Sequence, residues 1–234
     1  LSGQLPLDLP PREDRGGESF FVSAANASAR AQIAAWRRWP DRKLALAGPA
    51  GSGKSHLAEL WVSGAGGVLV RGAALAEAAD VDLVAMVGRG AVAIDDADRL
   101  AGDPAGEARV LHLHNMLAEA GGALLVTGQR APRDWPFTLP DLASRIIATT
   151  LATLDPPDDA LLSAVLVKLF ADRQLRVAPG LVSWLVARME RSFDAARAIV
   201  AALDARALAD GRPIGPKLAA EILEALAVAP GGDT

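Results

Sequence analysis

Short apolar runs alternate with amphipathic stretches through the first two thirds of the chain and give way to helical spacing in the last third. Asn26 to Trp36 is alanine-rich and apolar at helical spacing, which predicts a helix stopped near Pro40. Leu44 to Ala47 predicts a short buried strand, Lys54 to Val62 the helix after it, and Val68 to Val70 a second strand. Ala91 to Ile94 predicts a third strand, ending in Asp95-Asp96. Glu107 to Glu119 predicts a helix closed by Gly121-Gly122, Ala123 to Thr127 a fourth strand, and Ile146 to Leu151 a fifth. Strands alternating with helices predict an α/β fold with a parallel, doubly wound sheet.

The pattern changes at Asp155-Pro156-Pro157. Asp158 to Arg173, Pro179 to Glu190, Phe193 to Ala209 and Pro216 to Ala227 all read as helices, with Asp158 as an N-cap and Gly211 as a stop signal. The expected organisation is a tail over residues 1–19, an α/β domain over 20–152, a small helical domain over 153–228 and a second tail over 229–234. The first tail is proline-punctuated and charged, so it buries little.

Composition narrows the class. Hydrophobic residues make up 51% of the 234 positions, ample for a core, yet no apolar run is long enough for a membrane span of ~20 residues. Leu1 to Pro11 lacks the basic start of a signal peptide, and cysteine is absent, which rules out disulfides and thiolate metal sites. A cytoplasmic protein is expected. The net charge is −4, and the longest basic cluster is Arg37-Arg38, with Arg42-Lys43 close behind. That cluster reads as a solvated helix end, so direct sequence-specific DNA binding is not expected.

The chemistry begins at Gly48-Pro49-Ala50-Gly51-Ser52-Gly53-Lys54-Ser55, which fits G-x-x-x-x-G-K-[ST] at every defined position. Glycines let backbone N–H groups curl around an anion, and the following helix presents its positive end to phosphates. Lys54 is expected to reach the β- and γ-phosphates, and Ser55 to be a Mg²⁺ ligand. An apolar strand before the motif and a helix after it supply the required context. Ala91 to Asp96 is the matching buried strand that ends in acid. Asp95 would hold Mg²⁺ through water and Asp96 would polarise an attacking water; the alternative is a plain helix cap shared with Asp98. His56, His112 and His114 read as packing residues. His112 and His114, two apart on a helix, face different directions.

With these motifs in place, the chain from about Phe20 to Ala227 resembles the DnaA family of AAA+ ATPases, and within it the short Hda-like regulators. Gly53-Lys54-Ser55-His56-Leu57 resembles the family's extended Walker A, and Ile94-Asp95-Asp96 its Walker B. Phe20-Phe21-Val22 with Asn26 is similar to the segment that packs on adenine. Leu125 to Pro132 resembles the sensor 1 strand and its exit, with Gln129 where a shorter Asp or Asn is common. Leu139 to Ile146 is similar to the segment carrying the arginine finger, which puts that role on Arg145. By residues alone, Arg145 reads first as a surface arginine on a helix end. Arg197 falls in a helix similar to the sensor 2 helix, and by residues alone it can pair with Asp194 or Glu190. Gln4, Leu5, Leu7 and Leu9 lie in a hexapeptide that resembles a sliding-clamp docking motif.

The resemblance implies an AAA+ P-loop fold of five parallel strands with a small C-terminal helical lid. It implies ATP or ADP with Mg²⁺ as ligands, held by Gly48, Gly51, Ser52, Gly53, Lys54, Ser55, His56, Phe21, Val22, Asn26, Gln129 and Arg197. It implies weak ATP hydrolysis at most, with the DNA polymerase III sliding clamp and DnaA as partners. Arg145 would act on DnaA or, in a homo-oligomer, on a like subunit. The expected function is to promote hydrolysis of DnaA-bound ATP and so restrain replication initiation. The alternatives are a helicase-loader-like or other AAA+ adaptor ATPase, and a small-molecule P-loop kinase.

Overall fold

The computed structural model describes residues 12–13 and 20–228. Two short strands, β1 (Arg12–Glu13) and β2 (Phe20–Phe21), pair antiparallel. α1 (Ala27–Ala34) follows and ends in two short 3-10 turns, Trp36–Arg38 and Pro40–Arg42. The sheet and its helices come next: β3 (Lys43–Ala47), α2 (Lys54–Ala65), β4 (Val68–Arg71), α3 (Gly72–Ala76), α4 (Asp80–Val87), β5 (Ala91–Asp95), α5 (Pro104–Glu119), β6 (Ala123–Gly128), α6 (Pro140–Ile147) and β7 (Thr150–Thr153). The rest is helical: α7 (Asp159–Asp172), α8 (Leu181–Val186), α9 (Phe193–Asp210) and α10 (Pro216–Val228). The described chain forms two compact units. One comprises residues 26–155; the other comprises 156–228 with 12–13 and 20–25.

The first unit is built on a five-stranded parallel sheet in the order β4-β5-β6-β3-β7. Its central strands explain why the apolar runs are continuous and not alternating. Every residue of β5 and β6 is buried, as is β3 after Lys43, because helices cover both faces of such a sheet. The edge strand β7 is different: Thr150, Leu151 and Thr153 are exposed and only Ala152 is buried.

The expected fifth strand, Ile146 to Leu151, is corrected at its start. Ile146 belongs to α6, and the strand begins at Thr150. The β-branched pair Ile146-Ile147 suggested extended chain. However, Leu142 and Ile146 are four apart, and as a helix they bury one common face, each 1% exposed. Pro140 at the first helical turn fits the same choice. Two helices, α3 and α4, fill a stretch for which the sequence pattern predicted no element. Leu75 and Leu83 anchor them in the sheet core. Outside the sheet, α8 is shorter than the expected Pro179 to Glu190, because Gly180 takes a left-handed φ of 78° and the helix starts only after it.

The helical unit has its own core, with Leu162, Leu166, Leu185, Ile199 and Leu203 among its buried members. Caps set its boundaries. Asp158 accepts from Leu161 N at 2.8 Å, Ser192 accepts from Ala195 N at 3.0 Å, and Gly211 closes α9 at φ 60°. Among the described residues no helix is long and apolar enough to cross a membrane.

One buried carboxylate fixes the approach to α6. Glu107 on α5 is fully buried and accepts from Gly102 N at 2.7 Å, Thr138 N at 2.8 Å and Leu139 N at 2.6 Å. Burial pushes its carboxyl up, but the backbone N–H groups of Gly102, Thr138 and Leu139 outweigh burial and hold it below the ordinary glutamate value of 4.5. Its folded pKa is depressed, so its stabilisation is present above pH ~4.5 and is lost as pH falls through the folded value. Glu107→Ala leaves buried donors without an acceptor and is expected to cost about 3 kcal/mol, read as a lowered midpoint in urea unfolding.

Candidate nucleotide-phosphate site

The ends of β3, β6 and β5 lie side by side at the carboxyl edge of the sheet, where open α/β folds hold ligands. The P-loop leaves β3 there. Gly51 and Gly53 take left-handed φ values of 65° and 98°, a backbone that L side chains adopt poorly. Gly48 is needed for space, because a Cβ there would lie 2.8 Å from Leu154 O and 2.9 Å from Ser52 Oγ. Lys54 opens α2, is only 6% exposed, and donates from Nζ to Gly48 O and Pro49 O, both at 2.9 Å. Its ammonium is thus held over the mouth of its own loop. Ser52 is buried at 4% exposure, and its Oγ has no hydrogen-bond partner among the described residues, the polar orphan that a phosphate oxygen would satisfy. Ser55 is exposed on the first turn of α2, and His56 is half-buried near Glu59.

Two strands over, Asp95 closes β5 at 5% exposure. Its carboxylate accepts from Thr127 Oγ1 at 2.7 Å, and the same hydroxyl accepts from Asp96 N at 3.0 Å. Thr127 therefore ties both acids to the strand between them and the P-loop. Sequence reasoning missed it; the signal to follow was a hydroxyl in the otherwise apolar run Ala123-Leu124-Leu125-Val126. Asp98 has a related role, one turn further on. Its Oδ2 accepts from Gln129 N at 2.7 Å, which fixes the exit of β6, while the Gln129 side chain is exposed. Gly128 cannot carry a side chain, since a Cβ would lie 2.5 Å from the Trp135 ring.

Asp96 sits at φ 53°, an uncommon setting for a non-glycine residue and one associated with working sites. Burial raises its carboxyl above the ordinary aspartate value, Asp95 and Asp98 add to the rise, and Arg99 and Lys54 oppose it. A carboxylate raised in this way opposes folding once it ionises. Asp96→Asn, which tolerates the same φ, is expected to raise the melting temperature at neutral pH, where the carboxylate is ionised, and to change it little in acid, where Asp96 is protonated.

The other expected site residues fall in several places. Asn26 is buried at 5% exposure as the residue before α1, in the sheet unit. Phe21 and Val22 are half-buried in the helical unit. Arg197, on α9 of that unit, is exposed and paired with Asp194, the local alternative. Arg145 lies in the last turn of α6, exposed, with Nε 3.0 Å and one terminal nitrogen 3.3 Å from the Asp141 carboxylate. Gln4, Leu5, Leu7 and Leu9 lie outside the described residues. The histidines divide. His114 is buried, and burial first, then Lys43 and Arg145, keep it below the ordinary imidazole value. His112, expected to pack, is exposed, because the face of α5 that turns Leu113 and His114 inward turns it to solvent.

No family model matches the chain. Solved structures share its fold. Domain III of the Thermotoga maritima replication initiation protein DnaA matches with a TM-score of 0.73 at 20% identity, over 90% of this chain and 95% of that one. DnaA from Aquifex aeolicus bound to AMPPCP matches with a TM-score of 0.60 at 16% identity, over 73% of this chain and 59% of that one. The FIGL-1 AAA domain in complex with ADP matches at 0.65 and 14% identity, over 84% and 75%. The chain has an AAA+ fold. Its sheet and C-terminal helical region follow the fold of the matched DnaA domain III.

Proposed function

We propose that this chain is a nucleotide-binding AAA+ regulator of replication initiation of the Hda-like kind. The observation that carries nucleotide binding is the P-loop itself. Left-handed glycines, a buried Ser52 hydroxyl without a partner among the described residues and a buried Lys54 converge at one helix start. ATP or ADP fits this cradle. Ser55 and Asp95 are the residues that would hold Mg²⁺, and the ion would neutralise charge on the phosphates. Thr127 orients the Asp95 carboxylate for that task, and Asp96, with its raised pKa, is suited to take a proton from water. Gln129 gives only its backbone N–H to the site's framework, which fits slow turnover.

The regulatory reading adds two elements. The Gln4 to Leu9 hexapeptide would dock on the sliding clamp as an extended segment, with Leu7 and Leu9 in an apolar pocket and the Gln4 amide at a neighbouring subsite. Arg145 would enter the nucleotide site of clamp-proximal DnaA and promote hydrolysis there. The solved DnaA structures among the matches support a replication setting. The test is retention on immobilised clamp. The full chain is expected to be retained, and deletion of residues 4–9 to lower affinity at least ~30-fold, as loss of an anchor pocket would. Unchanged retention would exclude the clamp-tethered reading and favour a helicase-loader-like adaptor.

A further inference from the structure

The amino edge of the sheet, opposite the P-loop, carries a cleft that the nucleotide chemistry does not use. Lys43 opens β3 and Thr150 opens β7, and the register of Leu44 opposite Thr150 sets these strand starts side by side. With α5 and the end of α6 they enclose about 370 Å³, lined by Asp41, Lys43, His114, Ser144, Arg145 and Thr149 among others, all in the sheet unit. Small-molecule sites begin at about 300 Å³, so the cleft has room for a small metabolite. The turn that leads into it is strained. Asp41 and Arg42 both take left-handed φ values, 48° and 60°, an uncommon pair for non-glycine residues and a kind of strain that gathers at ligand sites. His114 lines the cleft although it is only 4% exposed. One of its ring nitrogens lies 3.4 Å from Asn115 Oδ1, and the other makes no hydrogen bond among the described residues. Burial first, then Lys43 and Arg145, keep the imidazole below its ordinary value, so two cations act on one neutral ring. Among the described residues no carboxylate pairs with Lys43, whose Nζ reaches only the Asp41 carbonyl oxygen, at 3.3 Å. Arg145 has its exposed pair with Asp141, which a stronger acceptor displaces at little cost.

We propose that this cleft binds a small sugar phosphate, with the phosphate between Lys43 and Arg145. A phosphate monoester is close to a dianion at neutral pH and matches two cations, whereas a simple carboxylate would leave one of them uncompensated. The arginine fork and the lysine point charge are both suited to phosphate oxygens. The rest of the lining suits a sugar. Ser144 and Thr149 donate their hydroxyl protons to Asp141 O at 2.9 Å and Arg145 O at 3.0 Å, so they present oxygen lone pairs to the cleft, which accept from sugar hydroxyls. The Asp41 carboxylate accepts in the same way. The site is separate from the P-loop, which leaves the other end of the five-residue strand β3, roughly 15 Å away. Where Arg145 also serves a partner's nucleotide, as proposed above, a filled cleft withholds it; binding in the cleft does not depend on that role.

The probe is ribose 5-phosphate, titrated into the full chain in saturating ADP while the rings of its three histidines are followed by NMR. His114 reports the cleft, His56 next to Ser55 reports the P-loop, and the exposed His112 is the control; His56→Gln and His112→Gln assign the signals. The His114 signals are expected to shift saturably, with a dissociation constant below ~1 mM. The His114 pKa is expected to rise on binding, because the phosphate offsets Lys43 and Arg145. His56 and His112 should not respond to the sugar phosphate. Lys43→Met and Arg145→Gln change side chains outside the core, and each is expected to raise the dissociation constant at least ~10-fold, the size of a lost charge-assisted hydrogen bond, without changing the far-UV melt. Absence of a saturable His114 shift up to about 10 mM would overturn the proposal. So would an equal shift with ribose or acetate at matched ionic strength, a response of His56 in place of His114, or wild-type affinity in both variants. Tighter binding of inorganic phosphate than of ribose 5-phosphate would overturn the assignment to a sugar phosphate. If ADP itself leaves His56 unmoved, the nucleotide reading fails separately, and the His114 titration is read as before.

Discussion

Lys54→Ala is expected to remove most of the thermal stabilisation that ATP or ADP gives the wild-type chain. A ligand at 100 times its dissociation constant stabilises the folded state by about 2.7 kcal/mol, which for a chain of this size raises the melting temperature by roughly 5–10 °C. The variant should lose most of the shift under the same conditions and show a dissociation constant at least ~30-fold higher, since removing a buried charged partner costs about 2–5 kcal/mol. Geometry supports the size of the effect. Lys54 is 6% exposed, so its ammonium needs little further burial to meet a phosphate. Its bonds to Gly48 O and Pro49 O are those of a donor held in position within the loop it serves. The melting temperature without nucleotide separates a binding effect from damage to the loop. If Lys54→Ala shifts with nucleotide as wild type does, the P-loop is not the nucleotide site.

That loop was legible in the sequence because its chemistry is local. The glycines, Lys54 and Ser55 must stand at fixed offsets for a backbone to wrap a phosphate, so the spacing carries the function. The central strands were legible for a related reason: strands buried on both faces appear as unbroken apolar runs. Thr127 and Glu107 were not legible, since each acts across long stretches of chain. Thr127 finds Asp95 only because β6 pairs with β5, and Glu107 finds Thr138 and Leu139 only because α5 packs near the start of α6. Ile146 misled because β-branched residues fit strands and helices alike when one face is buried. The pairing of Leu142 with Ile146 decided for helix, and that pairing is tertiary information. The basic cluster at Arg37 to Lys43 read as a solvated helix end for the same reason: Trp61, the ring that organises it, lies on α2.

On the proposed function, Arg145→Ala is expected to remove the stimulation of DnaA-bound ATP hydrolysis by clamp-loaded protein, a loss on the order of 10³-fold, the size of an arginine finger's contribution. Arg145 is exposed and paired with Asp141 four residues earlier on α6. A pair of this kind contributes only about 0.3–0.5 kcal/mol, so the guanidinium can leave Asp141 for a phosphate at little cost. Its place in the last turn of α6 is fixed from below by Ile146 and Leu142 in the core, and the approach to the helix is fixed by Glu107. The backbone is therefore anchored while the side chain stays free to move, which is what action on a partner's nucleotide requires. Two further variants separate a finger from a surface charge. Arg145→Lys keeps the charge but not the planar fork, and it should recover little activity. Asp141→Ala releases the guanidinium and should retain full stimulation. Neither Asp141→Ala nor Arg145→Ala should lower stability by more than the few tenths of a kcal/mol that an exposed pair is worth, about 1–2 °C in a thermal melt. Full stimulation by Arg145→Ala would mean that the arginine is a surface residue, and that any effect on DnaA comes from another region of the chain.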